Sequence, residues 1–484
     1  MQRFTKFQNY YVSFAFRLNG QGQAAAPTMF FTIRFMKFHF KKLLQNDGWL
    51  ENVAVETDEK GLIISIEETK QTNNFTNGYA LPGFQNAHSH SFQYAMAGLA
   101  ENHSTNEKQN DFWSWREAMY HLALAVNPEQ FERIATMLYA EMLRYGYTNV
   151  AEFHYLHHDK NGKPYDNIAE MGSRLINAAK VAGISITLIP IFYQKGGFDK
   201  PPEDNQRRFI SAKIDDYFKL YEATQNACKN YKHANIGIGI HSMRGVEPQA
   251  IKEVAENFPN DVPFHIHISE QIKEVEDCKE FLGKRPARWM LENIELSDRF
   301  HFVHATHLEG FEINGLAEKG VNVVLCPTTE GNLGDGLFPL RKFQDADGNW
   351  SIGTDSHVSL NPFEELRLLD YGQRLISHNR NTFGRNSREY AIRQATITGR
   401  KAMNNFEKEY FAVGSPFNAC IISAEHPLIQ TASNENLLNT IIYSSDEIMG
   451  TVVSGKWKVV SGKHKNQEKI FDDFVKTIKE LENR

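Results

Sequence analysis

What this chain of 484 residues lacks already narrows its class. It has four cysteines, Cys228, Cys278, Cys326 and Cys420, and no C-x-x-C pair among them. That density excludes a disulfide scaffold, and the thiols read as reduced residues of a cytoplasmic protein. No run of 18 or more apolar residues occurs, which leaves no segment that reads as a membrane-spanning helix. Excess positive charge is missing too, with 53 lysines and arginines against 59 aspartates and glutamates, a net −6. The broad basic footprint of a nucleic-acid binder is therefore not there. Low-complexity tracts and sequence repeats of fixed period are also absent. The 41% of hydrophobic residues is ordinary for a globular chain and excludes a disordered one.

Histidine is the residue in surplus, with 19 copies. It is the commonest metal ligand and titrates nearest neutral pH, so its distribution matters more than its number. That distribution depends on the elements the sequence predicts.

Residues 1–35 fit poorly with the rest of the chain. Tyr10 to Phe16 is a short apolar stretch after basic residues, and Ala24-Ala25-Ala26 imitates a cleavage site. The stretch ends at once in Arg17, so a start codon set too early, with Met29 or Met36 as the true first residue, is the better expectation. From 36 to 82 the pattern is strand-like: Val53-Ala54-Val55 and Leu62 to Ile66 flank the turn Asp58-Glu59-Lys60-Gly61. Strand-like segments return over 405–465, among them Ala419 to Ile422, Met449 to Val453 and Gly455 to Val460. Two β-rich ends around a different middle predict one small β-sandwich domain assembled from both termini. Ile470, Phe474, Ile478 and Leu481 then mark an amphipathic helix within 466–484, docked on the surface.

The middle, 83–404, alternates apolar strands with helical patterns. One helix opens at Asn127-Pro128-Glu129-Gln130, a capping residue followed by proline at the first helical position and glutamine at the reciprocal cap position. Strands are predicted at Leu81–His90, Thr148–Phe153, Ile184–Phe192, Ile236–Ile240, Pro263–Ile268, Phe300–His304, Val321–Cys326 and Trp350–Asp355. Eight strands alternating with helices predict an α/β fold, a closed (β/α)8 barrel.

Catalytic groups of such barrels come from the C-terminal ends of the strands. Those ends carry His88 and His90, Glu152 and His154, His241, His265 and His267, His304, and Asp355. Spacing alone is weak: chance supplies roughly 0.7 H-x-H triplets at this histidine content, and two are present. Position strengthens it, because residues i and i+2 of a strand share a face, and His88 and His90 can then point at one ion. With a fifth-strand histidine and Asp355 they offer three nitrogens and a carboxylate oxygen, which suits Zn²⁺, with Fe²⁺ as a substitute. His157 and His158 are expected to be solvated loop residues, and His301 to pack outward because it lies three residues before His304. His39, His103, His233, His378, His426 and His464 are expected on the surface, and Cys326 reads as a packed thiol. His154 stands beside the strand ends without a firm role.

Pro82-Gly83 before His88-Ser89-His90, histidines ending the fifth and sixth strands and the aspartate of the eighth together resemble the amidohydrolase superfamily. Four longer strings resemble its formimidoylglutamate deiminases: HSHSFQYAMAGLAE from His88, DFWSWREAMY from Asp111, HIHISEQ from His265, and CPTTEGNLGDGLFP from Cys326 running on to GTDSHVSL at Gly353. The likeness spans about 36–465. It implies a metal site of His88, His90, His267 and Asp355, with His304 and Glu270, together with Asp355, in catalysis. Substrate would be held by Gln93, Arg116, Tyr155, His241 and Arg244. The fourth strand ends in histidine and not in a lysine that could be carboxylated to bridge two metals, which implies one zinc (or Fe²⁺) per subunit. The implied reaction is hydrolytic deamination of N-formimino-L-glutamate to N-formyl-L-glutamate and ammonia, in histidine degradation, by a homodimer. A dianionic substrate needs bidentate cationic donors, a need that Arg116 and Arg244 match. Deamination of a nucleobase-like ring, or amide or lactam hydrolysis by the same chemistry, are the alternatives. Nucleic-acid and membrane partners are not expected.

Overall fold

The protein, described here from a computed structural model, is placed over residues 10–13, 32–70, 76–99, 112–380, 382–383, 387–444 and 446–481. Expectations about a leader or a displaced start, and about His103, fall almost wholly outside these residues. No described helix is long and apolar enough to cross a membrane.

The eight predicted middle strands all form. They are β1 Phe84–Ser89, β2 Tyr147–His154, β3 Ser185–Phe192, β4 Ile238–Ser242, β5 Phe264–Ile268, β6 Phe300–His304, β7 Asn322–Leu325 and β8 Asn349–Ile352. They lie in sequence order and pair in parallel, β3 running beside β4 and the short strand Ala234–Ile236 before it. A parallel bridge between Ser89 and Asp355 joins the first strand to the end of the last. The chain therefore forms a (β/α)8 barrel. Its strands are buried almost throughout, as expected where helices cover the outer face.

Local sequence explains the element ends. Asn127 accepts the backbone N–H of Gln130 at 2.9 Å while Gln130 accepts that of Asn127 at 3.1 Å, a complete capping box for the helix Pro128–Arg144. Gly146 follows that helix at φ 84°, and a side chain there would strike Cys420. The helix can thus turn straight into β2 against the second sheet.

That second sheet is built from both termini. Its two halves meet where Thr76–Pro82 lies between Ala419–Ser423, antiparallel, and Thr32–Gln45, parallel. Outward from there run Gly48–Thr57 and Ile63–Glu68 on one side, and Ile448–Val453, Lys456–Val460 and Lys463–His464 on the other. Pro82 and Phe84 are two residues apart, so the sheet feeds directly into β1. The C-terminal helix Gln467–Glu480 packs on Pro128–Arg144, Ile470 meeting Met137 and Ala140 while Arg133 faces Glu480.

The N-terminal mouth of the barrel is plugged. Residues 394–403 reach the start of β1 through Gly399 against Gln85 and the start of β8 through the Gln394 side chain on Trp350 N. They also reach Asn235 before β4 and His265 on β5, through the carbonyls of Met403 and Ala402. Contacts with strands on opposite sides place the segment across the opening, so access is confined to the C-terminal mouth.

Candidate active site

At the C-terminal mouth three imidazoles converge. The Nε2 atoms of His88, His90 and His267 lie 3.0 to 3.3 Å from one another. Asp355 Oδ1 lies 3.3 Å from His88 Nε2 and 3.2 Å from His90 Nε2. Backbone acceptors fix two of the rings: His90 Nδ1 donates to the Phe153 carbonyl at 2.9 Å and His267 Nδ1 to that of His241 at 3.0 Å. With the proton on Nδ1, Nε2 presents a bare lone pair. Lone pairs facing one another at such distances repel unless a cation lies between them. The three nitrogens form a triangle of circumradius about 1.8 Å, so a point at the Zn–N bond length of about 2.0–2.1 Å from all three exists. The residues therefore fit a single metal ion, and His88, His90, His267 and Asp355 could hold one.

The electrostatics agree. Burial and the neighbouring ring of His90 lower His88 to about 3, and burial with the adjacent imidazoles holds His267 well below the ordinary histidine value. Burial alone favours the acid form of Asp355, yet the imidazoles of His88 and His90 beside it hold it well below the carboxylate range. Neutral imidazoles with one carboxylate are the protonation states that a divalent cation requires.

The loop carrying the first two ligands is held from β2. Glu152 is buried and accepts from Ser89 Oγ at 2.7 Å and from Ser91 N at 2.6 Å, bracketing His90. Ser269, His304, Ala305, Asp355 and His357 all have φ between 44° and 67°. Left-handed backbone at non-glycine residues costs about 1–3 kcal/mol each and persists where surroundings impose it. Here it gathers at the ends of β5, β6 and β8 and turns side chains into the mouth.

Beside the ligand group stand His304 and Glu270. His304 Nε2 is 3.7 Å from Glu270 Oε1 and 3.9 Å from Asp355 Oδ2, and its Nδ1 is 3.3 Å from Glu330 Oε1. Burial opposes the charged ring, but Glu270, Glu330 and Asp355 outweigh it and raise His304 to about 10. Burial raises the Glu270 carboxyl, with His304 and Arg244 pulling it back. One buried imidazole among three carboxylates is equipped to store and pass a proton.

A pocket opens above these groups and takes in every expected site residue except His88, which lies beneath its neighbours. Arg116 and Arg244 both line it. Arg116 donates from Nε to Tyr120 OH at 2.5 Å and lies over that ring. Gln93 donates to Tyr155 OH at 2.9 Å, and the Tyr155 ring packs on His90. His241 stacks on Tyr193 with ring centroids 4.2 Å apart, and burial with the two arginines keeps it neutral.

The sequence reading missed several cavity residues: Trp115, Met119, Tyr120, Tyr193, Phe209 and Leu333. The first three were legible, since 115, 116, 119 and 120 share one face of the helix Phe112–Ala125. Glu330 was also overlooked. It lies within the CPTTEGN string, where its carboxylate accepts Cys326 N at 2.9 Å besides facing His304.

Other histidine expectations are corrected. His157 is buried, its Nε2 3.0 Å from the Ile191 carbonyl, and His158 Nε2 is 2.9 Å from that of Ile210. Both backbone N–H groups bond the carbonyl of Arg208, whose own buried guanidinium grips the His158, Ala123 and Val126 carbonyls. That clamp folds the loop inward and fastens the helix bearing Arg116. His39 and His464 are buried as well, His464 bonding the Ala182 carbonyl at the end of a helix. His154 packs on Phe131 and His157, away from the cavity. His301 does not pack outward: it stacks on His265, its register partner, with centroids 4.6 Å apart, beside the plug residues 401–402. His304 has φ 67°, which breaks the two-residue alternation from which its parity was counted.

Comparison with known proteins agrees with this geometry. The sequence matches the Amidohydrolase family over residues 79–458. The chain belongs to the amidohydrolase family. It is 38% identical over 449 residues to the formimidoylglutamate deiminase of Pseudomonas aeruginosa, covering 91% of this chain and 98% of that protein. The crystal structure of an amidohydrolase from Brucella melitensis superposes with a TM-score of 0.87 at 37% identity, over 92% of this chain and 99% of that one. An adenosine deaminase from Xanthomonas campestris with bound zinc shares the fold at TM-score 0.76 and 21% identity, over 93% and 98% of the two chains. The protein is thus an enzyme of the amidohydrolase family, and the group of side chains at its barrel mouth could hold a metal ion.

Proposed function

We propose that the protein is a zinc-dependent formimidoylglutamate deiminase that converts N-formimino-L-glutamate and water to N-formyl-L-glutamate and ammonia. The observation that carries this reading is the placing of two arginines, Arg116 and Arg244, in one cavity with the ligand cluster and Glu270. A dianion needs such paired donors, and the 38% identical relative bears the name of this activity.

In this reading His88, His90, His267 and Asp355 hold one zinc, with Fe²⁺ as a substitute. Bound zinc supplies Lewis acidity that brings the pKa of water toward neutrality. Arg116 and Arg244 take the two carboxylates, while Gln93, Tyr155 and His241 hold the chain between them and aim the formimino carbon at the cluster. His304, held as a cation by Glu270, Glu330 and Asp355, orients the attacking water together with Asp355, and the Asp355 carboxylate accepts its proton. Glu270, whose acid form burial favours, faces the imino nitrogen and delivers the proton with which ammonia leaves. The carbon gains an oxygen, the C–N bond to the former imino nitrogen breaks, and the formyl product remains.

The decisive experiment is steady-state ammonia release by the zinc-loaded protein from N-formimino-L-glutamate, set beside guanine, cytosine, an imidazolone and N-formylglutamate. Turnover of the linear amidine is expected. Ammonia from a nucleobase alone would turn the aromatic lining of Trp115, Tyr120, Tyr193 and Phe209 into a stacking platform for a ring and overturn the proposal. The proposal extends to a homodimer in the cytoplasm, checked by light scattering. It extends also to a division of the chain into 36–82 with 405–465, 83–404 and 466–484.

A further inference from the structure

We infer that Glu274 is a positioning residue that joins recognition of a substrate carboxylate at Arg244 to the placement of Glu270. This rests on the proposed dianionic substrate and deepens that reading.

Glu274 lies in the first turn of the helix Ile272–Leu282, behind the cavity wall and not in it. Its side chain is 0% exposed. One oxygen, Oε2, does two things: it accepts the backbone N–H of Glu270 at 3.0 Å and lies 3.8 Å from Arg244 Nη1. The other, Oε1, is buried without a hydrogen-bond partner among the described residues. Glu270 follows Ser269, whose φ of 52° turns the chain back at the end of β5, so the Glu270 N–H has no strand neighbour to bond. Glu274 supplies that acceptor and thereby fixes where the Glu270 carboxyl points. The same atom faces one end of Arg244 at ion-pair distance. A carboxylate arriving at Arg244 competes with Glu274 for the guanidinium, and the outcome is felt at Glu270.

The groups facing Glu274 are Arg244 from the loop after β4, Glu270 at the end of β5, His304 at the end of β6, and Cys278 one turn along its own helix. Burial, opposed by Arg244 and reinforced by Glu270, raises its carboxyl to about 7. Below that value Glu274 is neutral and leaves Arg244 to the substrate. Above it Glu274 is an anion that neutralises Arg244 and repels an incoming carboxylate. Substrate binding and proton uptake by Glu274 are thus linked, and affinity falls as pH rises through 7.

The test uses the full-length zinc-loaded enzyme, N-formimino-L-glutamate, and the variants Glu274→Gln and Glu274→Ala. In the wild type KM is expected to rise about tenfold between about pH 6.5 and 8.5. In Glu274→Gln, which cannot ionise, the rise is expected to stay within about twofold. Glu274→Ala loses the acceptor for the Glu270 N–H, so kcat is expected to fall about 100-fold with zinc content retained, and Glu274→Gln to recover at least about tenfold of that loss. A KM profile in Glu274→Gln that follows the wild type, or equal kcat in both variants, would overturn the inference. Should Glu274→Ala not fold, the KM profile of Glu274→Gln decides alone. A wild type that releases no ammonia from this substrate at any pH brings down the substrate reading and the inference with it. An active wild type with unresponsive variants brings down the inference alone.

Discussion

The two ends of the barrel use the same residue for opposite purposes. At the C-terminal mouth His88, His90 and His267 meet, and at the N-terminal mouth His265 and His301 meet. His265 and His267 are neighbours on one face of β5, about 7 Å apart along the strand. Both are buried and both are held neutral by burial. They differ in which ring nitrogen the backbone engages. At the upper end Nδ1 bonds a carbonyl and Nε2 is left bare toward two other bare nitrogens and Asp355. At the lower end Nε2 is itself bonded to the Ala402 carbonyl at 3.2 Å, and the facing ring is a second histidine beside a lysine. Lone pairs converging with a carboxylate make a group that could hold a metal, whereas a ring already committed to a plug carbonyl makes packing. The chemistry follows tautomer and company, and the H-x-H spacing of His265 and His267 does not tell the two ends apart.

The sharpest way to break this comparison is to remove one histidine from each end. His267→Ala is expected to lose bound metal and at least about 1,000-fold in turnover, measured by elemental analysis and ammonia release. His265→Ala is expected to keep its metal and stay within about tenfold of wild type, losing on the order of 1–3 kcal/mol of stability to chemical denaturation. Metal loss from His265→Ala would erase the distinction. Next in size, Glu270→Gln is expected to cut kcat by about 100- to 10,000-fold at near-normal zinc content, which separates proton delivery from metal holding. Wild-type turnover in that variant would reject its role. Smaller again, Arg244→Lys or Arg116→Ala is expected to raise KM about 10- to 100-fold while metal content stays fixed, because a point charge or none replaces a bidentate fork. An unchanged KM in both would leave the dianion without its donors.

The smallest effect concerns acid stability at the lower end. Folded His265 takes up its proton only near pH 3, whereas an unfolded histidine does so near 6.5. Below 6.5 the unfolded chain therefore binds more protons, and stability falls as pH falls toward 3. In His265→Gln the slope of unfolding free energy between about pH 6 and 4 is expected to shrink by one proton, about 1.4 kcal/mol per pH unit. An unaltered slope from pH-dependent denaturation would show that the lower pair is not a neutral packing element.

Much of the molecule was legible from local pattern. The eight strands, the capping box at Asn127 and the pairing of both termini in one sheet follow from apolar runs, capping chemistry and turn residues within a few positions of one another. So does the grouping of His88, His90, Asp355, His304 and a fifth-strand histidine, because strand ends of a closed barrel face one mouth, whereas His267 in particular and Glu270 were implied by the family resemblance. Where the reading failed, the cause lay far away in sequence. His157 and His158 look like loop residues and are drawn inward by Arg208, about fifty positions on. Strand parity puts His301 on the wrong side because it assumes extended backbone, and His304 is left-handed. Tyr193 and Phe209 come from separate segments, and nothing near either of them announces a shared wall.

The sequence by itself determined which residue types stand at the strand ends, and hence that a histidine–aspartate group that could hold a metal lies at a barrel mouth. Local periodicity and capping energies act over a few residues, and they suffice for that. Only the tertiary structure decided which histidines keep a bare nitrogen, which carboxylates close around His304, and how Glu274 ties Arg244 to Glu270. Those outcomes depend on which carbonyl or carboxylate is brought within about 3 Å of a given ring atom, and hydrogen bonds and burial act at that range between segments the chain order keeps apart.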